Sequence, residues 1–387
     1  MTETIPDSWA RGSGLLTIDL DAIAANYRLL RKAVSPASCG ACVKADSYGL
    51  GLEQVAPVLA AEGCEDFFVS FLEGGVKLRQ LLPEIRIHVF TGLAGGAPSI
   101  FEEHRLIPTL NSLTDIQSWQ TYCKNRGKEL ACNIHVDTGM LRLGLAPNEL
   151  DQIARNEELI DGLVIDTVMS HLACADDIIN PMSAEQLTLF RHAREILPMG
   201  RASLANSSGI FHGSDFHFDM ARPGAALYGI NPTPRAPSPV SQVISLQGKI
   251  LQIRSVDTPQ TVGYGATHRI TEPGRIATIG VGYADGYLRS VSGSGTAYID
   301  GTPVPVVGRV SMDMITLDVS SIPEHRCQPG MAVYLIGPDH GVDDLAMDAG
   351  TIGYEILTAL GNRYHRVYTG GNTNKNTDEN TGGRNGA

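Results

Sequence analysis

GACVKADSYGLGLEQVAPVLAAEG, residues Gly40–Gly63, joins the two patterns that decide the fold. It begins with a short apolar run, typical of a buried strand, that ends at Lys44. After a glycine-rich turn it continues with apolar residues at helical spacing. Further strand-like runs, most of them separated by helical stretches, are DFFVS, IRIHVF, LIPTL, CNIHVD, LVIDTVMSH, ASLANS and HFDMAR. About eight strands that alternate with helices predict an α/β fold, the parallel (β/α)8 barrel of the TIM type.

The sequence on either side of this repeat has a different pattern of apolar and turn residues. Upstream, LLTIDLDAIAANYRLLRKAVSP predicts a strand that the barrel pattern leaves over, then a helix capped by Asp21. Downstream, closely spaced β-rich runs with Gly and Pro between them predict a mainly-β C-terminal domain. We therefore expect an N-terminal arm (1–14), a barrel (15–240), a β-rich domain (241–368) and a disordered, low-complexity tail (369–387).

Composition and charge exclude several classes of partner. The 387 residues carry a formal net charge of −12, which argues against a nucleic-acid backbone or an anionic membrane surface as partner. No leader pattern and no run of membrane-spanning length occurs. Seven scattered cysteines do not indicate a disulfide framework. Cys39 and Cys42 form a C-x-x-C pair, but they lie in a strand-like run, where a redox role is disfavoured. We expect a cytoplasmic protein that acts on small molecules.

In a parallel barrel the active site forms at the carboxyl ends of the strands, and unusual polar residues occur at those positions. In strand order they are Lys44, Arg142, His171, Asn206 with Ser207, and Arg222 with Gly224. Each of them alone is compatible with a structural or solvated role, such as a lysine that extends along the rim. Their convergence on one rim predicts a binding site.

The ends of the last two barrel strands offer a candidate phosphate site. The Ser207 hydroxyl and the backbone N–H groups of Gly224 and Ala225 are available there, where barrels often bind phosphate. The alternative is that RPGAALYG is only a strand exit with a Pro-Gly turn. A lysine at the end of the first strand can form a Schiff base with the aldehyde of a phosphorylated cofactor such as pyridoxal phosphate. The sequence thus favours a cofactor site that contains Lys44.

Three short motifs suggest other chemistry and are set aside. VDTG at Val136–Gly139 resembles the aspartic protease triplet but lies in an α/β pattern. GVGYADG at Gly280–Gly286 fails both the spacing and the context of a dinucleotide site. His171 and Cys174 have a spacing found in metal sites, but no second pair of ligands stands nearby. We expect no metal.

Together these residues resemble the alanine racemase family, whose members combine a barrel with a β domain and use pyridoxal phosphate. The resemblance extends from Leu15 to Tyr368 and rests on nine motifs in register. The motifs are VKADSYGLG at Lys44, DTGMLRLG at Arg142, SHLACAD at His171, ANSSG at Ser207, FDMARPGAALYG at Arg222, VGYGATH at Tyr264, GVGYADGY at Tyr283, VGRVSMDM at Met312 and Asp313, and GTIGYE at Tyr354.

The resemblance implies a two-base mechanism. Lys44 holds the cofactor as a Schiff base and serves as one acid/base group. Tyr264, contributed by the second subunit of a homodimer, is the other, on the opposite face of the substrate. Since a phenol is a weak base at neutral pH, Tyr264 needs a positive neighbourhood, for which His171 and Arg222 are the candidates. Arg222 also meets the pyridine nitrogen, where it can only donate, which weakens electron withdrawal and suppresses side reactions.

The same resemblance assigns the other site residues. Arg142 binds the phenolic oxygen of the cofactor and the carboxylate of the substrate. Asn206 also belongs to the cofactor-binding set, and the implied phosphate cradle consists of Tyr48, Ser207, Gly224, Ala225 and Tyr354. The residues that the partner subunit contributes to the substrate pocket, which fits a methyl side chain, are Tyr283, Met312 and Asp313.

Two positions depart from the family pattern. Many members have a lysine at the position of His135, carbamylated so that it holds the arginine that corresponds to Arg142. Histidine cannot carry that group, so either a bound anion or another carboxylate replaces it, or Arg142 is held less firmly; a charged His135 would repel it. At Leu50 the glycine-rich turn commonly has a histidine. We expect a mild effect there because the adjacent Tyr48 is retained.

The implied function is the interconversion of L-alanine and D-alanine, with D-alanine supplied to peptidoglycan. A broad-specificity amino-acid racemase is a close alternative, because the pocket residues do not fix the size of the side chain. A pyridoxal-phosphate carrier shares the barrel and the lysine but lacks the β domain. A decarboxylase of related architecture is disfavoured because Arg222 opposes a strong electron sink.

Overall fold

The computed structural model describes residues 12–93 and 97–371, and the predicted barrel is confirmed. Strand β1 (Gly14–Asp19) precedes the barrel. The barrel strands are β2 (Ser38–Cys39), β3 (Ala41–Cys42), β4 (Asp66–Val69), β5 (Arg86–Val89), β6 (Leu106–Leu110), β7 (Ala131–His135), β8 (Val164–Met169), β9 (Arg201–Ser203) and β10 (Met220–Ala221). The helices of this part are α1 (Leu20–Val34), α3 (Leu52–Ala61), α4 (Leu72–Leu81), α5 (Pro98–Glu103), α6 (Leu113–Arg126), α7 (Pro147–Arg155) and α8 (Met182–Ile196), and the short segment α2 (Lys44–Tyr48) is a left-handed turn.

Parallel pairing closes the barrel. Strands β3 to β9 follow one another in a single parallel sheet. Strand β10 pairs with β2, with Met220 opposite Ser38. On its other side, the Arg222 N–H donates to the Ala205 carbonyl at 2.9 Å and ties this strand to the segment after β9. The carboxyl ends of the strands therefore meet at one rim.

The start of α1 differs from the sequence prediction. The carboxylate of Asp19, not of Asp21, caps the helix by accepting a hydrogen bond from the Ala22 N–H at 2.9 Å. Asp21 accepts instead from the N–H of Gly371, also at 2.9 Å. The predicted cap was wrong because α1 already begins at Leu20, so that Asp19 is in the N-cap position and Asp21 lies within the first turn.

The second part of the chain is rich in β structure, as predicted. Its strands are β11 (Ile244–Val256), β12 (Gln260–Val262), β13 (His268–Ile270), β14 (Gly274–Ile279), β15 (Thr296–Ile299), β16 (Thr302–Pro305), β17 (Ile315–Asp318), β18 (Ala332–Ile336) and β19 (His365–Thr369). Two helices, α9 (Val342–Ala349) and α10 (Gly353–Ala359), lie between the last two strands. The main sheet has the order β16-β15-β18-β11-β1-β19, and β14 and β17 extend it from β11.

Strand β1 joins the sheet of the second part. It pairs antiparallel with β11 and parallel with β19, so that Leu16 lies opposite Leu246 and Arg366. The run that the barrel pattern left over finds its partners here. Of the predicted tail, Thr369 is the last residue of β19. Residues 372–387 lie outside the described residues, as do residues 1–11 of the predicted arm.

One contiguous hydrophobic cluster extends through both parts. It includes Phe67 and Trp119 in the barrel region and Leu246 and Leu335 in the β sheet, all nearly inaccessible to solvent. Continuous packing of this kind holds the rim of the barrel in a fixed relation to the second part. No helix within residues 12–93 and 97–371 is both long enough and apolar enough to cross a membrane.

The cysteines are all unpaired thiols. Cys39 and Cys42 are buried, and burial raises the pKa of the Cys39 thiol to about 12. Burial raises the pKa of Cys42 as well. Since the thiolate is the reactive form, this C-x-x-C pair has the properties of a structural pair rather than of a redox centre.

Candidate active site

Four of the rim residues predicted from the sequence line one cavity. Lys44 follows β3 after one residue, Val43, and Arg142 lies in the loop after β7. His171 follows β8, and Arg222 follows β10. These four side chains and His135 line a cavity of about 210 Å³, together with Ser70, Phe71, Phe90, Thr91, Leu143 and Met169. The carboxyl ends of six strands, β3, β4, β5, β7, β8 and β10, thus build one site.

The turn after Lys44 has an unusual backbone. Four consecutive residues, Ala45 to Tyr48, have φ between 52° and 57°, a left-handed turn formed without glycine. Such a conformation costs roughly 1–2 kcal/mol for each residue that is not glycine. Asp46 supports it by accepting a hydrogen bond from the Leu52 N–H at 2.8 Å. Strain that the surrounding structure holds in place is typical of functional sites.

The left-handed turn places the ring of Tyr48 against the end of the last barrel strand. The ring is buried and stacks on Tyr228 at a centroid distance of 4.6 Å, and it is 6.1 Å from the ring of Tyr354. A Cβ atom on Gly224 would come within 2.2 Å of the Tyr48 hydroxyl. Only glycine allows this approach between the two segments.

The donors at this place fit a phosphate. The Ser207 hydroxyl oxygen accepts hydrogen bonds from the N–H groups of Gly224, at 3.0 Å, and Ala226, at 3.1 Å. Burial raises the pKa of Tyr354 to about 12 and that of Tyr48 further above its usual range, so both phenols stay protonated and can donate. Hydroxyl and backbone donors are suited to an anion. Ala225, which the sequence proposed as a donor, begins a short 3-10 turn, Ala225–Tyr228.

Arg222 is the deepest cation of the cavity. It is only 3% exposed, and its guanidinium donates to the Ser170 carbonyl at 2.5 Å and to the Ser203 hydroxyl. Burial lowers its pKa to about 10, so it remains charged at neutral pH. Two neutral acceptors therefore hold this charge, and no carboxylate contacts it in the described residues.

The two histidines of the cavity are neutral. Burial, followed by the charge of Arg222, lowers the pKa of His135 to about 4 and holds that of His171 well below its usual range. His135 therefore does not repel Arg142 by charge. His171 does not contribute a positive charge either, which leaves Arg222 as the source of the positive neighbourhood expected around the second base.

No acidic residue lines this cavity in the part of the chain that the structure describes. Lys44, Arg142 and Arg222 bring cationic side chains to it without a carboxylate partner. An arrangement of this kind favours a ligand that carries its own negative charges, such as a phosphate and a carboxylate.

Asn206 and Leu50, which the sequence also singled out, are not among the described residues that line the cavity. The Asn206 side-chain oxygen accepts from the Gly209 N–H at 2.9 Å, and its amide nitrogen donates to the Leu172 carbonyl at 3.5 Å. Leu50, the departure from the glycine-rich turn, is fully buried. It packs in the hydrophobic core and leaves the neighbouring Tyr48 in place.

The residues predicted to come from the second part do not line the Lys44 cavity of the same chain. Tyr264 is 71% exposed and lines a separate hollow of about 410 Å³, with Arg309 and Met314. Tyr283 lies beside the segment of residues 311–314, because its N–H donates to the Ser311 carbonyl at 3.0 Å.

Met312 and Asp313 lie beside this hollow and also face outward. The Met312 side chain is 53% exposed. Asp313 pairs with Arg363 at 2.8 Å. The structure thus forms two separate groups of candidate residues, one around Lys44 and one around Tyr264.

Sequence reasoning missed several polar residues that support the cavity. Asn111 directly follows β6 and hydrogen-bonds to His135 at 2.9 Å. Ser170 and Ser203 hold Arg222, and the Tyr228 hydroxyl donates to the Cys42 carbonyl at 2.9 Å. The position of Asn111 at the carboxyl end of a barrel strand was a usable signal. The pairing of the two serines with an arginine across the barrel has no counterpart in a local pattern.

The set-aside motifs have structural roles. Asp137 of VDTG accepts hydrogen bonds from the N–H groups of Gly139 and Met140, both at 2.9 Å, and so shapes the loop that carries Arg142. In GVGYADG, a Cβ atom on Gly282 would come within 2.4 Å of the Met312 carbonyl. That glycine therefore allows two backbone segments to approach each other.

Family comparisons match both parts of the chain. The model described as alanine racemase, N-terminal domain, matches residues 18–232, and the model described as alanine racemase, C-terminal domain, matches residues 243–368. The alanine racemase of Rhodospirillum rubrum is 50% identical over 93% of this chain and 97% of its own length. A catabolic alanine racemase of Mesorhizobium japonicum is 45% identical over 95% of this chain and 96% of its own.

Solved structures give the same result. The crystal structure of alanine racemase from Bartonella henselae, with covalently bound pyridoxal phosphate, has a TM-score of 0.89 and 40% identity. It covers 92% of this chain and 99% of that one. The alanine racemase of Streptomyces coelicolor has a TM-score of 0.87 and 29% identity, over 94% and 99% of the two chains. The likeness therefore extends over the barrel and the β-rich part together.

Proposed function

Because the chain belongs to the alanine racemase family and is a pyridoxal-phosphate enzyme that interconverts L-alanine and D-alanine, we propose that Lys44 and Tyr264 are its two bases. Inversion at Cα requires that a proton is removed on one face and returned on the other. Two groups on opposite faces let one enzyme work in both directions. The observation that carries the proposal is a cationic cavity containing Lys44, matched by an outward-facing Tyr264 on the other part of the chain.

The residues around the cavity fit the cofactor. Ser207, Gly224, Tyr48 and Tyr354 would hold its phosphate, and Lys44 would hold its aldehyde carbon. When bound, pyridoxal phosphate withdraws electrons from the substrate and so acidifies the proton at Cα.

The cationic and polar side chains of the cavity orient the substrate and select the type of reaction. Arg142 would bind the substrate carboxylate, and Arg222 would donate to the pyridine nitrogen. A guanidinium cannot give up its proton there, which limits electron withdrawal and disfavours reactions other than proton transfer. His171 and Asn206 complete the surroundings of the cofactor as neutral hydrogen-bonding groups.

We propose that two chains form a homodimer with shared active sites. Tyr264 lies outside the Lys44 cavity of its own chain, so a second copy is needed to bring the two bases together. Large apolar side chains are exposed near both groups. They are Phe71, Leu141 and Leu143 beside the cavity, and Met312 and Met314 beside Tyr264. Exposed apolar patches of this kind mark interaction surfaces. In the dimer, Tyr283, Met312 and Asp313 of the partner subunit would narrow the pocket around a methyl side chain.

Complementation tests the shared sites. A Lys44→Ala chain and a Tyr264→Phe chain should each be inactive alone. After exchange of subunits in an equal mixture, half of the dimers are hybrids with one intact site each, so about a quarter of the wild-type sites should return. No recovery after verified exchange would contradict the shared site and leave both bases within one chain.

Proton exchange tests the reaction and its breadth. Proton NMR of L-alanine in D₂O with the holoenzyme should show loss of the α-proton, with D-alanine detected by chiral analysis. The same measurement with L-serine and L-lysine distinguishes a narrow racemase from a broad-specificity one. A pyridoxal-phosphate carrier, the alternative of another class, would exchange none of them.

We propose that the enzyme acts in the cytoplasm and supplies D-alanine for peptidoglycan. The seven unpaired cysteines, six of them buried, are compatible with a reducing compartment. The relative from Mesorhizobium japonicum is named catabolic, which makes the opposite direction the competing hypothesis. Deletion of the gene should cause a growth requirement for D-alanine, and a strain that instead only fails to grow on alanine as carbon source would favour the catabolic role. We also propose that the barrel ends at residue 240 and that the β-rich part begins at residue 241.

A further inference from the structure

The orientation of the Asn111 side chain is fixed by its neighbours. Its amide nitrogen donates to the carbonyl oxygens of Phe90, at 3.0 Å, and Thr109, at 2.8 Å. Carbonyl oxygens only accept, so the nitrogen has to be on that side of the amide. The side-chain oxygen of Asn111 then faces Nδ1 of His135, at 2.9 Å.

This contact determines which nitrogen of His135 carries the proton. An amide oxygen is an acceptor only, so Nδ1 of His135 has to donate to it. Burial and the nearby charges of Arg222 and Arg142 lower the pKa of His135 to about 4, although Asp137 opposes this shift. The imidazole is therefore neutral at physiological pH. Its second nitrogen, Nε2, keeps a lone pair and is an acceptor.

The loop that carries Arg142 folds back over His135. The Leu145 N–H donates to the His135 carbonyl at 2.7 Å, and the Asp137 N–H donates to the Leu145 carbonyl at 3.0 Å. Gly144 lies so close that a Cβ atom there would be 3.2 Å from the imidazole ring. His135 and Arg142 line the same cavity, whose described lining residues include no carboxylate. The imidazole therefore offers an uncharged acceptor in the cavity that Arg142 also lines.

We propose that Asn111 and His135 are a positioning pair in which Asn111 fixes the tautomer of His135, so that Nε2 accepts a hydrogen bond from Arg142. The pair takes the place of the carbamylated lysine of other family members without adding a negative charge. It also makes a bound anion unnecessary for orienting Arg142. The proposal rests on the proposed role of Arg142 in binding the substrate carboxylate.

The tautomer can be measured directly. Holoenzyme labelled with ¹⁵N-histidine should show one imidazole in the neutral form with the proton on Nδ1, and that signal should be missing in His135→Phe. It should not titrate between pH 6 and pH 9. In Asn111→Leu, which keeps the size but removes the acceptor, the same imidazole should change to the Nε2–H form or a mixture. An Nε2–H form or an imidazolium at pH 7 in the wild type would overturn the proposal.

Kinetics test whether the acceptor acts on substrate binding. Loss of a hydrogen bond to a charged group in His135→Phe should raise KM for alanine roughly tenfold to a hundredfold and change kcat less, because Arg142 holds the carboxylate before and during proton transfer. His135→Gln restores an acceptor oxygen and should recover part of the loss. His192→Phe, at an exposed histidine of α8, is the matched control and should be unchanged. An unchanged KM in the folded His135→Phe variant would contradict the proposal.

Two outcomes separate this proposal from the proposed function. Replacement of chloride by gluconate at constant ionic strength should leave the wild-type activity unchanged, since His135 needs no counter-ion. Activity that rises with chloride would instead support a bound anion and overturn the pair. Failure of the proposed function would appear as no α-proton exchange in the wild type, whereas failure of the pair leaves that exchange intact.

Discussion

The two ends of the barrel both bury charged side chains, but they pair them differently. At the amino-terminal ends of the strands, Arg201 binds Asp66 through two hydrogen bonds of 2.7 and 2.8 Å and reaches Asp166 at 2.9 Å. Arg86 contacts the same two carboxylates, and the neutral His88 ring is 2.9 Å from Asp66. Burial alone would raise the pKa of Asp66, but the hydrogen bonds from Arg201 and His88 hold it well below its usual range.

At the carboxyl end, the cations of the cavity have no carboxylate partner among the described lining residues. Arg222 is held by neutral oxygens, and the two histidines beside it stay uncharged. The difference indicates a structural role for one end and a binding role for the other. Charges that are paired within the protein stabilise the barrel, while cations without a carboxylate partner are available to bind the anionic groups of a ligand. The Asp66, His88 and Asp166 cluster resembles a metal site in composition, yet its two arginines already neutralise the carboxylates.

The largest expected effect is at the unpaired end. Lys44→Ala should lower kcat/KM for alanine by at least about 10³, because a base and the attachment point of the cofactor are lost together. Stability without added cofactor should stay the same or rise slightly, since one of several neighbouring positive charges is removed. Racemisation assays and urea unfolding measure the two quantities. Lys32→Ala, on the surface of α1, is the control. A large loss of stability in Lys44→Ala would contradict the interpretation that charges at this end serve binding rather than stability.

At the paired end we expect the opposite division. Asp66→Asn keeps the shape of the side chain but turns an amide toward Arg201 and Arg86, which leaves two guanidiniums without full compensation. The free energy of unfolding should fall by about 3 kcal/mol, as when one partner of a buried ion pair is removed. KM and kcat should change less than about twofold at a temperature where the variant is folded. A fall in activity that exceeds the loss of folded protein would show that this end takes part in catalysis.

The same comparison explains what could be predicted from the sequence. The barrel and the residues at its rim follow from local periodicity and from the rule that strand ends carry the chemistry. The network around Asp66 could not be predicted in this way, because its members come from β4, β5, β8 and β9 and meet only after the barrel closes. The position of β1 in the second sheet depends on equally distant partners, β11 and β19.

The left-handed turn that ends at Tyr48 could not be predicted from the sequence either. Its residues, Ala45 to Tyr48, do not favour positive φ by themselves. The conformation is imposed by the stacking of Tyr48 on Tyr228 and by the hydrogen bond that Asp46 accepts. Function at the rim could therefore be located from the sequence, whereas the backbone that supports it could not.

Protonation of His135 should weaken the unpaired end as the pH falls. The folded pKa of His135, about 4, lies below its unfolded value of about 6.5, so the unfolded chain takes up the proton first. The contribution of neutral His135 to the free energy of unfolding is complete above pH 6.5 and is lost as the pH falls toward 4. At pH 5 the loss amounts to about 2 kcal/mol. Asp66 does not contribute to the change in this window, since a carboxylate contribution is lost only below about pH 4. The buried His88, whose pKa burial also lowers, weakens the paired end in the same direction, equally in the wild type and in a variant of His135.

Urea unfolding of the wild type and of His135→Asn at pH 7 and pH 5 measures this contribution. The wild type should lose more stability between the two pH values than the variant does, by about 2 kcal/mol. Equal losses would mean that His135 has the same proton affinity in the folded and the unfolded chain. The claim that His135 is held neutral in the cavity would then be wrong, and the contrast between the two ends partly depends on that claim.

The smallest effect is expected where an ion pair is neither buried nor part of the site. Arg191 on α8 and Asp215 are 2.9 Å apart, but more than half of each side chain is exposed. Water and salt already stabilise both charges there, so Arg191→Ala should change the free energy of unfolding by less than about 0.5 kcal/mol and leave racemisation unchanged. Urea unfolding in low and high salt should show the same small difference. If this variant lost as much stability as Asp66→Asn, the number of ion pairs, and not their burial at the base of the barrel, would determine stability.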